Sequence, residues 1–494
     1  MNIMMLLQMA SEADGERVAV GRRHDGLTLA EMFDLSGRLA TWIQENGVER
    51  VVWSDVAGPL LPVALFGSAW AGAPFVPVNY RLADDRLRML VAQQNPGVVL
   101  CEPGTEHRFA GLDGIKVVAT DTLRATLADV ARADEVWPDD ERVALLLYTS
   151  GTSGDPKAAL LRHDNLASYI LGSVDFLGAD LDEATLVTVP PYHIAGMAAI
   201  LSATFSGRRL VQLANFDPVE WVETASTEGV THAMVVPTML ARINAVLAEG
   251  PDMSSLRHLS YGGGRMPIPV IEQTMQLLPN VGFVNAYGLT ETSSSVAILG
   301  PDDHRAALTS DDPAVRSRLG SVGRPLPTVE ITIRDLDGNE VGPGVPGEVW
   351  VRGDQVSGEY SHKDMRAAEG WFPTSDGGYL DEEGYLFVTG RLDDVIVRGG
   401  ENLSPGEIED VLLLHPEVRD VCVLGLPDDE WGEVVAAVIV RHDGTDPQPA
   451  DLADFVVRHL RSSRRPHTVV FREELPTTDT GKVLRRVLRS ELAV

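Results

Sequence analysis

Cysteine and lysine are both scarce in this chain. Two cysteines in 494 residues, Cys101 and Cys422, cannot build a disulfide framework, and they point to a reducing compartment, the cytoplasm. Only four of the 41 basic residues are lysine (Lys116, Lys157, Lys363 and Lys482). Arginine is the default cation, so a lysine inside a motif marks a place for a compact, flexible point charge instead of a planar fork. Long uninterrupted apolar runs are missing as well. The longest, LLPVALFGSAWAGAPFVPV, is broken by proline and glycine and reads as a buried helix followed by a strand, so no membrane span is expected. The opening MNIMMLLQMASEADGERV has no basic residues before its apolar patch and no small-residue cleavage site after it; a helix is expected there, not a secretion signal. With a formal net charge of −31 the chain repels polyanions, which argues against nucleic acid as a partner. One local exception is RHLRSSRRPHTVVFR, which gathers Arg458, Arg461, Arg464, Arg465 and Arg472, as either a solvated helix face or a dock for a small phosphorylated ligand.

The length implies more than one core. From about residue 16 to 300, runs such as VVWSDV, VALLLYT, ATLVTVP and HAMVVP alternate with helical segments such as LAEMFDLSGRLATWIQENG, which predicts layered α/β subdomains with much parallel sheet. Between about 320 and 390 short strands and glycine turns predict a small β subdomain, with an LDGN hairpin signal. Beyond TGRLDD the pattern predicts a separate small α+β domain. The expected division is 1–391, a hinge at 392–393, and a C-terminal domain over 394–494.

Four stretches carry chemistry. TSGTSGDPK offers hydroxyls on Thr149, Ser150, Thr152 and Ser153, bare backbone at Gly151 and Gly154, and the cation Lys157. It lacks the Walker spacing, and taken alone it is either an anion cradle or a Gly/Ser surface turn. NAYGLTETSS sets the aromatic face of Tyr287 and the bare Gly288 beside Ala286, then Thr290 and Glu291, a hydroxyl and carboxylate suited to magnesium held against phosphate or to an ordinary turn. Gly262, Gly263 and Gly264 allow a ligand to lie on the main chain. In the third stretch Asp376 and Arg391 flank a hairpin, where a carboxylate suits paired ribose hydroxyls. In the fourth, Lys482 sits in a Thr-Gly loop before a basic helix.

The four stretches follow one another in an order and at separations that resemble the adenylate-forming superfamily of acyl-CoA synthetases, luciferases and peptide-synthetase adenylation domains. The resemblance covers nearly the whole chain, including VNYRL, GSVGRPLPTVEITI and GEVWVRG. PPYHIAGM, TSD and GRLDDVIVRGGENLSPGEIE are most similar to benzoate-type and related acyl-CoA ligases. It implies an ATP-dependent acid–thiol ligase in which a carboxylic acid and ATP give an acyl-adenylate and pyrophosphate, and coenzyme A then takes the acyl group. ATP phosphates would lie at 149–154 with Lys157 nearby and adenine beside Tyr287 and Gly262 to Gly264. Ribose would lie on Asp376 and Arg391, and magnesium on Glu291 with Thr290 on the phosphate. Lys482 would carry the first half-reaction. A swing about Asp393 would then bring in the RGGEN loop, with Gly399 and Gly400 lining the pantetheine tunnel and Trp431, Arg465 and Arg81 contacting coenzyme A. His193 falls at the family's gate beside the acyl pocket, whose expected walls also include Ile194, Gly262 and Ala286. No aspartate for an α-amine stands near PPYHIAG, which favours an acid without one. The resemblance leaves open a carrier protein as acceptor, a protein that only binds or forms the adenylate, and a monomer or homodimer. Departures are Ser153 and Ala158 in the phosphate loop, TSD for TGD, Asp393 where many relatives carry lysine, and a shortened SGEYSHKDMRAAEGWF.

Overall fold

The computed structural model describes residues 1–139, 141–149, 157–361, 363–428, 430–478 and 483–492. Among these residues four sheets are formed. The nine-stranded sheet has a parallel centre, with Val18–Val20, Arg209–Gln212, Ala184–Val187, His232–Val235, His258–Gly262 and Gly282–Leu289 side by side. Antiparallel strands close it at both edges. In the eight-stranded sheet, Val143–Thr149, Phe75–Pro77, Arg50–Ser54, Gly97–Cys101 and Ile115–Ala119 run parallel. Its antiparallel side begins with Lys157–Arg162.

Both sheets bury apolar side chains in one core with the helices Met4–Asp14, Leu29–Glu45, Leu60–Ala71 and Ile194–Ser206. Leu60–Ala71 is buried from Leu61 to Trp70, as a helix apolar all round must be. Leu29–Glu45 is amphipathic and starts at a capping box: Glu31 N donates to Thr28 Oγ1 at 3.2 Å, and Thr28 N donates to Glu31 at 2.9 Å. The helix expected at the chain start and the helix-then-strand expected from the longest apolar run are both present, the latter ending in Phe75–Pro77.

A four-stranded antiparallel sheet (Glu330–Arg334, Gly347–Arg352, Phe372–Leu380, Leu386–Arg391) forms the small β region. The LDGN turn closes only on an isolated bridge between Arg334 and Glu340; the main partner strand waits until Gly347, because the proline- and glycine-rich stretch between cannot extend the ladder. The last sheet uses only strands from Ile396 onward and packs against Pro405–Leu413 and Pro449–His459 over its own apolar core. Parallel strands that end together leave their carboxyl ends open to a ligand, and the carboxyl ends of His258–Gly262 and Gly282–Leu289 bear the glycine and tyrosine motifs.

Candidate active site

Asp376 is the centre of a hydrogen-bonded group drawn from two sheets. The hairpin register places it directly opposite Arg391, and Arg391 Nη1 donates to Asp376 Oδ1 at 3.2 Å and to the Thr374 carbonyl at 3.0 Å. From the nine-stranded sheet the Tyr287 hydroxyl donates to Asp376 Oδ2 at 2.7 Å. Burial, with the neighbouring Asp376 charge, pushes the Tyr287 phenol well above its ordinary value, so it remains a donor. Thr374 fixes the strand, donating to the Val349 carbonyl at 2.7 Å and accepting from Asp376 N at 3.1 Å. Asp376 is buried, yet an ionised carboxylate has about four lone-pair sites, and two are used here.

Glu291 stands beside this group, close enough for its charge to act on Arg391, as does that of Asp393 in the exposed turn Leu392–Asp394. Its Oε1 accepts from the Tyr360 hydroxyl. Tyr360 also lies near Thr149, the last residue of the strand that enters the phosphate loop, and burial and Glu291 raise its phenol far above the ordinary value. Thr149 pairs with Lys157 across the loop, so both loop ends are held together. Thr290 opens the turn that carries Glu291. After Thr292, Ser293 and Ser294 have φ of 58° and 122°, conformations rarely adopted by residues with side chains, and the buried Ser293 hydroxyl has no hydrogen-bond partner among the described residues. Gly288 faces this bulge: a Cβ there would lie 1.8 Å from the Ser294 carbonyl oxygen. Gly262 pairs with Ala286, whose carbonyl oxygen would be 2.3 Å from an added Cβ, and Gly263 has a φ of +76°. Gly264 follows, and a Cβ there would meet the Pro237 ring only at ordinary contact distance, 3.8 Å.

Two other groups form elsewhere. His193 caps the helix Ile194–Ser206 and is half-buried; its ring lies 4.8 Å from Tyr192, which meets Tyr80 edge-on at 5.9 Å, and the Arg81 guanidinium lies 5.4 Å from the Tyr80 ring centre. Arg81 donates to Asn215 at 2.7 Å. On the C-terminal sheet, Gly399 and Gly400 form an exposed hairpin tip with φ of +56° and +82°. Trp431 covers Gly399, and Arg398 stacks on Trp431. The arginine cluster is not a bare basic patch: Arg464 pairs with Glu401 and Glu407, Arg465 with Asp454, and Arg472 with Glu491. Ser150, Gly151, Thr152, Ser153, Gly154 and Lys482 lie outside the described residues.

Among the described residues no three His, Cys, Asp or Glu side chains gather as a metal cage. One carboxylate together with nucleotide phosphates is nevertheless the donor set that magnesium uses in nucleotide sites, so Glu291 fits it. Sequence reasoning missed Tyr360, Thr374 and Gln355. Tyr360 and Gln355 act through partners distant in the chain, which no local pattern marks, whereas Thr374 opens the TSD motif and accepts from Asp376 N two residues on.

The family model described as AMP-binding enzyme matches residues 7–361, and that of the AMP-binding enzyme C-terminal domain matches residues 407–482. The chain belongs to the AMP-binding enzymes. It is 32% identical to an indoleacetate–CoA ligase of Aromatoleum aromaticum, covering 94% of this chain and 93% of that one. It is 33% identical to a feruloyl-CoA synthase of an Amycolatopsis species, covering 95% of each. The solved o-succinylbenzoate CoA synthetase of Bacillus subtilis, in complex with its acyl-adenylate intermediate, superposes with a TM-score of 0.85 at 28% identity, covering 98% of this chain and 97% of that one. No described helix is long and apolar enough to cross a membrane.

Proposed function

We propose that this chain is an AMP-forming acid–thiol ligase that activates an aromatic carboxylic acid with ATP and passes the acyl group to coenzyme A. The observation that carries this reading is the meeting of Thr149, Tyr287, Glu291, Asp376 and Arg391, from separate elements, at one site. Asp376 accepts the ribose hydroxyls on its remaining lone pairs while Arg391 and Tyr287 hold it still. Glu291 is the carboxylate that would hold magnesium, which when bound offsets phosphate charge. Residues 149–154 and Lys157 hold the phosphates.

A substrate carboxylate oxygen attacks the α-phosphorus and the bond to pyrophosphate breaks. Lys482 steadies the negative charge that gathers there, an electrostatic role with no covalent step. Coenzyme A then loses its thiol proton, sulfur attacks the acyl carbonyl, and AMP leaves. Because a lysine-bearing lobe would obstruct the thiol, the small lobe, 394–494, turns on 392–393 against the large lobe, 1–391, and presents Gly399 and Gly400. Trp431, Arg465 and Arg81 contact the coenzyme, and His193 gates the acyl pocket. The named activities of the aromatic-acid relatives support the substrate class, as do the small residues Gly262 and Ala286 at the expected pocket wall. Two free, buried cysteines suit a reducing cytoplasm.

The test is purified protein with ATP, magnesium, a panel of aromatic and aliphatic acids, and either coenzyme A or a carrier protein. AMP with an aromatic acyl-CoA is the expected product. A loaded carrier without acyl-CoA would reassign the acceptor, and no acid-dependent pyrophosphate release would overturn the reading.

A further inference from the structure

Segment 355–361 is bonded on both sides to the site. Toward Glu291, the Ser357 and Gly358 amides donate to the Glu291 carbonyl at 2.9 and 3.2 Å. Gln355, fully buried, donates through Nε2 to the carbonyls of Thr292 at 3.1 Å and Ser295 at 2.8 Å, gripping the strained Ser293–Ser294 bulge from both ends. Toward the phosphate loop, Glu359 and Tyr360 pair with Leu160 and Ala159 of the strand that leaves it. Ser361 N donates to the Ala158 carbonyl at 3.0 Å, and Arg162 binds Glu359 at 2.7 Å. The Tyr360 hydroxyl closes the bracket on the Glu291 side chain itself. It occupies Oε1, and among the described residues Oε2 accepts no hydrogen bond.

We propose that Tyr360 is a positioning residue for metal-bound ATP: its hydroxyl fixes the Glu291 carboxylate through Oε1 and leaves Oε2 to the cation, while segment 355–361 locks that carboxylate to the strand leaving the phosphate loop. This rests on the reading of Glu291 as the magnesium ligand. A glutamate side chain has several rotatable bonds, and a metal site loses affinity when its ligand must be ordered on binding.

The test is the affinity of Mn2+ for the full-length chain in the presence of ATP, read from the electron paramagnetic resonance of free Mn2+, with metal-free ATP affinity and melting temperature measured alongside. Tyr360→Phe keeps the ring and removes the donor. It should weaken Mn2+ by about ten- to a hundredfold with metal-free ATP binding and melting temperature nearly unchanged, and raise the KM for Mg2+ more than it lowers kcat. Glu291→Gln separates the two readings. If it weakens Mn2+ while Tyr360→Phe binds Mn2+ like the wild type, the positioning role is wrong and the metal site stands. If Glu291→Gln leaves Mn2+ affinity unchanged, both fall. In the double variant Tyr360→Phe should add nothing to Glu291→Gln; equal additive losses would mean that Tyr360 does not act through Glu291, and would overturn the proposal.

Discussion

Arg265 and Asp410 form an ion pair that joins the loop after Gly262 to Gly264 to the helix Pro405–Leu413 of the C-terminal sheet. The Ser404 hydroxyl adds a hydrogen bond of 2.7 Å to the Thr389 carbonyl, and Gly406 lies against the same arginine. The glycine loop beside the proposed nucleotide pocket thus holds the small lobe in the described orientation. Partial burial, with Glu409 and Glu407 adding to it, outweighs the Arg265 charge and pushes the Asp410 carboxyl up to about 6. The folded protein therefore takes up a proton here between about pH 6 and the ordinary carboxylate range, where the unfolded chain does not. Stability from this group rises as pH falls through that window, and it is lowest above pH 6. Asp410→Asn should melt higher than the wild type at pH 7.5, with the difference shrinking toward pH 4.5. Protonation also releases the cross-lobe pair, so limited proteolysis in 392–394 should speed up at pH 5 in the wild type and be pH-independent in Asp410→Asn. A cleavage rate that ignores both pH and substitution would remove the latch.

Asp376 should be needed for nucleotide affinity. Asp376→Ala removes the acceptor for ribose, takes away the partner of the buried Tyr287 hydroxyl and leaves Arg391 only its bond to the Thr374 carbonyl. Hydrogen bonds to charged groups contribute about 1.5–3 kcal/mol each, so ATP affinity by calorimetry should fall at least about tenfold. Asp376→Asn keeps an acceptor for Tyr287 and should lose less. Equal ATP affinity in both variants and the wild type would place the ribose elsewhere.

These two contacts differ in how far the chain announces them. Asp376 and Arg391 are 15 residues apart on a hairpin whose glycine turn and alternating apolar positions are visible in the sequence, so their register follows from local pattern. The parallel strands are visible for the same reason, as apolar runs between helical segments. Arg265 and Asp410 are 145 residues apart, and Tyr360 and Glu291 69. Such contacts depend on how sheets stack and how a loop is gripped, which no periodicity encodes. The arginine cluster shows the converse. Its charges are plain in the sequence, but the carboxylates that pair with Arg464, Arg465 and Arg472 come from flanking elements, so those pairings are not.

Gly288 should tolerate no side chain. An alanine Cβ would sit 1.8 Å from the Ser294 carbonyl oxygen, well inside contact distance and against backbone held by Gln355. Gly288→Ala must displace the bulge that follows Glu291, so metal-dependent pyrophosphate release should drop by more than about a hundredfold, the scale of losing a preorganised contact. Full activity in this variant would mean that the bulge can move freely.

Lys482 and Gly399 should divide the two half-reactions between them. Lys482→Ala should slow acid-dependent pyrophosphate release by about a hundred- to a thousandfold, yet leave transfer from supplied acyl-adenylate to coenzyme A largely intact. Gly399→Ala should do the reverse. Its φ of +56° disfavours a side chain, and the new Cβ would meet Trp431 at 2.9 Å, so the hairpin tip must shift or narrow the thiol's path. Pyrophosphate release in a single turnover should stay near wild type while acyl-CoA formation falls by more than about tenfold. The opposite pattern, or equal losses in both steps for both variants, would contradict two working orientations of the small lobe: a site that ran both steps in one arrangement would have no reason to separate the lysine's effect from the glycine's.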